Sequence, residues 1–157
     1  MTSLIGPEAR IPNPALQLFK SVVGEWRTTG THPLVPGTTF HGRASFEWQD
    51  GGAFLVMRTE IDEPEIPSAV AVIGSNGDAA DGSFVMLYFD ERSVSRVYDV
   101  TMSGDVMTWQ RDDPGFRQRF TLTIEDGGDR MVGRGDMARD GGDWEDDLAL
   151  TYVRWIA

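Results

Sequence analysis

Apolar and polar residues alternate with a period of two along Phe40, Gly42, Ala44, Phe46 and Trp48, and again along Phe116, Gln118, Phe120, Leu122 and Ile124. A strand buried on one face reads this way, because successive side chains point to opposite sides of the pleat. Stretches rich in aromatic and β-branched residues are punctuated by Asp50-Gly51-Gly52, Asp81-Gly82, Gly104-Asp105, Asp126-Gly127-Gly128 and Asp140-Gly141-Gly142. Such pairs accept the positive φ that tight hairpins demand. The intervals predict ten strands, over 24–31, 40–49, 53–62, 69–75, 83–90, 94–102, 105–112, 115–125, 129–138 and 143–155. Pro64 and Pro67 mark a longer connection between the third and fourth strands. A run of hairpins is a meander, and a long meander closes on itself or leaves edges exposed. The expectation is an all-β fold, an antiparallel up-and-down barrel with an interior that is filled or holds something.

The residues before the strands follow a different pattern. Residues 1–13, with Pro7 and Pro12, read as an irregular arm. Asn13 supplies a helix cap and Pro14 a first helical position, and Leu16, Phe19, Val22 and Val23 give one apolar face ending at Gly24. A short helix over 14–22 is expected to pack across one end of the barrel. No composition shift divides the 157 residues, so a single domain over 1–157 is expected.

Composition narrows the functional classes. The 14 Lys plus Arg against 25 Asp plus Glu give a formal charge of −11, which repels nucleic acid and anionic membranes. There is no cysteine, which removes disulfides, thiolate metal sites and thiol nucleophiles. No leader pattern opens the chain and no apolar run approaches membrane-spanning length, so the expected compartment is the cytoplasm. All the basic residues but Lys20 are arginine, a cation suited to stacking and to forked bonding of carboxylates.

Polar groups recur where a barrel lumen would be lined. Arg96 and Tyr98 share one strand face, as do Trp109 and Arg111, and with Arg58 they could form a wet cavity for an aromatic or carboxylate-bearing ligand. The opposing reading places these residues on the solvent face, leaving an apolar lumen lined by Phe46, Trp48, Leu55, Met57 and Phe120. Ion pairs of Glu47 or Asp147 with Arg58 or Arg119 are a third use for the charges. His32 and His41 flank the Leu34-Val35-Pro36-Gly37 loop, which would bring them close together at the rim, with His32 nearest the pocket. Two histidines lack the third ligand that a metal site needs, so no metal is expected; proton transfer by His32 beside a carboxylate stays open. Gly133-Arg134-Gly135 reads as a break in a strand, and Ser93 and Ser95 lack a nucleophile turn.

The order of a short helix, then Gly24-Glu25-Trp26, then Thr31-His32-Pro33 ahead of a Pro-Gly loop and a meander to the C-terminus resembles the nitrobindin-like, bacterial lipocalin-like domains of the calycin superfamily. The resemblance implies a ten-stranded calycin-like barrel with an internal ligand cavity, the tryptophan plugging the closed end. Haem-binding members carry an axial histidine on the last strand. Trp144 to Arg154 contains none, so no haem and no other cofactor is expected, and a haem-binding nitrobindin-type protein is the less favoured alternative. The function expected is binding of a small hydrophobic or aromatic ligand by His32, Arg58, Arg96, Tyr98, Trp109 and Arg111. The alternative is a cofactor-independent cyclase or isomerase working in the same cavity, and a stress-related protein without a specific ligand is a third class. Monomer and homodimer are both compatible with the sequence.

Overall fold

A computed structural model describes residues 8–77 and 83–155. Ten strands follow one 3-10 helix at Pro14–Val22: β1 (Gly24–Thr31), β2 (Phe40–Gln49), β3 (Phe54–Ile61), β4 (Ala69–Ser75), β5 (Phe84–Asp90), β6 (Val94–Ser103), β7 (Val106–Asp113), β8 (Phe116–Glu125), β9 (Arg130–Arg139) and β10 (Glu145–Arg154). Every strand pairs antiparallel with its sequence neighbours, and β1 pairs with β10 from Trp26↔Arg154 to Thr31↔Ala149, which closes the barrel. Closure removes the open edges that a meander would otherwise present. The Asp50-Gly51-Gly52 and Asp126-Gly127-Gly128 turns take positive φ at all three residues, which is why hairpins form there. The Asp81-Gly82 turn lies outside the described residues.

The N-terminal helix winds as a 3-10 helix because of its spacing. Leu16, Phe19 and Val22 recur every three residues, matching three residues per turn, and all three are fully buried. Asn13 accepts a hydrogen bond from the Ala15 amide at 3.1 Å, so the cap read from sequence is present. The helix covers one end of the barrel, where Phe19 meets Phe84 edge-on at 4.8 Å and the Trp26 indole donates to the Val22 carbonyl at 3.0 Å. Phe46, Leu55, Ile73, Met107, Leu122 and Met131 fill that end completely. At the opposite end the strands leave space.

Candidate functional site

Period two sends Met57, Thr59 and Ile61 of β3, Tyr88 of β5, Arg96 and Tyr98 of β6, Trp109 of β7, and Phe116, Gln118 and Phe120 of β8 inward at the open end. With the loop residues Glu65, Ile66 and Pro67 they enclose a cavity of about 480 Å³. Its floor is aromatic. Trp109 stacks on Phe120 with ring centroids 4.6 Å apart and planes inclined by 16°. The Phe120 ring has room because β9 carries Gly133 beside it, where an added Cβ would stand 2.5 Å from the ring. Tyr152 completes the floor; only 2% of it is exposed, it lines the cavity, and its phenol has no hydrogen-bond partner among the described residues.

The upper wall is polar. Tyr98 packs edge-on against Tyr88 at 5.9 Å and donates to Gln118 Oε1 at 3.3 Å. Burial pushes both phenols above their ordinary value; the Asp90 carboxylate adds to the effect at Tyr88, and the Arg96 and Arg111 guanidiniums partly offset it at Tyr98. Tyr88 donates to Asp90 Oδ2 at 2.8 Å, and Arg92 covers the same carboxylate at 2.7 Å. Burial alone would raise the Asp90 carboxyl, but its bonds from Arg92 and Tyr88 win and hold it below the usual carboxylate value.

Of the residues expected to meet here, His32, Arg96, Tyr98 and Trp109 line the cavity. Arg111 stands just behind them, donating from Nη1 to the Phe116 carbonyl at 3.1 Å and to Gln118 Oε1 at 3.4 Å. Arg58 does not join them. Its neighbours Met57 and Thr59 point inward, so Arg58 points outward, half exposed and 4.0 Å from Glu47. His41 is likewise exposed on the outer face opposite Thr29, away from the inward-facing His32. Phe46 and Leu55 belong to the packed end, and Met57 and Phe120 to the cavity. Arg119 pairs with Asp136 at 3.1 Å and not with Asp147.

Asp147 is the partner of His32. The His32 Nε2 to Asp147 Oδ1 distance is 2.7 Å, and His32 Nδ1 accepts the Leu34 amide at 3.0 Å. A backbone amide only donates, so the proton of the neutral ring sits on Nε2 and faces the carboxylate. This pair spans a seam in the wall. β1 ends opposite Ala149, and the β9–β10 register shifts between Asp146 and Ala149, leaving Asp147 and Leu148 opposite the single Gly135. The bulge turns both Asp147 and Leu148 toward the lumen. Gly135 permits it, since a Cβ there would lie 2.8 Å from the Leu148 carbonyl oxygen. The two glycines around Arg134 therefore do not break β9, which runs unbroken from Arg130 to Arg139. Outside the seam, an outer groove of about 550 Å³ lies between the Val35–Thr39 segment and Arg134, Asp146 and Ala149. His32, Pro33, Gly135 and Asp147 line both spaces. Among the described residues no three histidine or acidic side chains gather as a metal site, and no helix is long and apolar enough to cross a membrane.

Solved structures place this geometry. Rv2717c from M. tuberculosis superposes with a TM-score of 0.67 at 17% identity, over 91% of this chain and 98% of that one. The shared fold is a closed, ten-stranded antiparallel barrel of lipocalin-like form. The S-type phycobiliprotein lyase CPES from Guillardia theta aligns with a TM-score of 0.60 at 14% identity, over 90% of this chain and 92% of its own. The sequence matches no family model and no curated protein. At these identities the likeness extends to the barrel fold alone, not to the side chains within it.

Proposed function

We propose that the chain binds one small aromatic or otherwise apolar molecule in the barrel lumen. The observation that supports this most is the 480 Å³ space at the open end, roofed by Ile66 and Pro67 and floored by Trp109, Phe120 and Tyr152. Its volume falls within the ~300–1,000 Å³ of ordinary ligand pockets, and its mix of apolar surface with a few convergent polar groups is what such pockets use. The Tyr152 phenol, which opens onto the cavity without a protein partner among the described residues, is free to bond a ligand oxygen or nitrogen at the floor.

Binding is favoured over a cyclase or isomerase activity by the state of His32. Both of its ring nitrogens are engaged, so proton transfer would first require one of those bonds to break. Sharing a fold with a phycobiliprotein lyase does not carry that activity to this chain. Haem of the nitrobindin type does not fit the residues present. The lumen side of β10 offers Asp147, Leu148, Leu150 and Tyr152, and the lumenal histidine has no free nitrogen.

Native mass spectrometry of the protein purified from its own host tests the reading. One retained small molecule per chain is expected, and Ala69→Phe, which fills the mouth from β4, should abolish it. The same adduct in the filled variant, or bare chain mass in both proteins, would count against lumenal binding.

A further inference from the structure

The rim of the cavity is cationic in a protein that is otherwise acidic. Carboxylates outnumber basic groups 25 to 14, and seven arginines of the described residues have a carboxylate within 4.0 Å. Arg96 and Arg139 line the cavity and have none among the described residues. Both neighbour Phe116. The Arg96 guanidinium lies 5.7 Å from the Phe116 centroid, and Arg139 is the cross-strand partner of Phe116 on β9.

The acids at or behind the lumen wall leave this charge in place. Asp147 is bonded to His32, and Asp90 is covered by Arg92 and Tyr88. Glu65 lines the mouth from the β3–β4 connection and pairs with neither arginine. A guanidinium presents parallel N–H donors matched to a carboxylate, and at the half-buried Arg96 its attraction is stronger than in open water, with the exposed Arg139 adding a second fork. A ligand held against Trp109 and Phe120 would meet these donors at its outer end.

Resting on the lumenal binding proposed above, we infer that the ligand is an aromatic carboxylic acid, its ring body in the lumen and its carboxylate at the rim between Arg96 and Arg139.

Calorimetric titration of the wild-type protein with 2-naphthoate and with 2-naphthamide separates the charge from the ring. The two probes share a ring system and differ in the anion. The acid is expected to bind about tenfold or more tightly than the amide, as one charge-assisted contact would give. Arg96→Gln and, separately, Arg139→Gln should shrink that preference by weakening naphthoate more than naphthamide, and the outward-facing Arg58→Gln should alter neither. Because the wild-type ratio is itself decisive, the test survives a variant that fails to fold. If naphthamide binds as well as naphthoate, the acid is wrong and lumenal binding stands. If neither probe binds, both ideas fall.

Discussion

The Trp26 indole is fully buried, donates to the Val22 carbonyl, meets Tyr152 edge-on at 6.5 Å and lies under the Arg154 guanidinium at 4.2 Å. Arg154 in turn donates to the carbonyls of Ser21, Val23 and Gly128, tying helix, β1 and the β8–β9 turn to the end of β10. Removing the indole leaves a cavity at the junction of these contacts. Trp26→Ala should lower stability by about 3–5 kcal/mol in denaturant unfolding; an unchanged midpoint would mean the closed end does not depend on it. Trp26 was legible in the sequence because it follows the helix directly and opens the first strand. Arg154 was not, since nothing in a terminal arginine signals that three separate carbonyls will converge on it. The same limit applies inside the cavity: alternation put Arg96 and Tyr98 on one face, but the choice of face depends on register, and for Arg58 that choice went outward.

At the scale of elements, the hairpins followed the Asp-Gly punctuation closely because positive φ is a local demand, met by local residues. The seam at β10 had no such signal. A bulge adds one residue to one strand only, and the acidic run Glu145-Asp146-Asp147 looks the same whether the strand is regular or shifted. The consequence is local: the shift places Asp147 against His32 where the β1–β10 ladder has stopped. Asp147→Ala should free the imidazole, and the Leu34 amide that it accepts should exchange with solvent faster, while the melting midpoint moves little. Undiminished protection of Leu34 in that variant would show that the loop is held by other contacts.

Across the whole molecule, one end of the barrel is packed solid and the other holds the lumen. All three tyrosines, Tyr88, Tyr98 and Tyr152, have phenols raised above the ordinary 10.0, with burial the largest cause. A raised phenol favours the neutral folded state, so this contribution is complete below about pH 10 and is lost as the unfolded chain ionises above it. The phenolate absorbance should therefore appear together with alkaline unfolding; a separate titration of three phenols near pH 10 in the folded protein would contradict their burial. The barrel as a whole was readable from turn spacing, whereas the size of the lumen was not, since it depends on Gly133 and Gly135 making room and on Ile66 closing over the mouth. The central claim is that this lumen takes up a small aromatic molecule, and fluorescence titration with N-phenyl-1-naphthylamine tests it most directly. Saturable binding of one probe per chain, abolished in Ala69→Phe, is the predicted result; non-saturating uptake, or identical saturation in the filled variant, would contradict it.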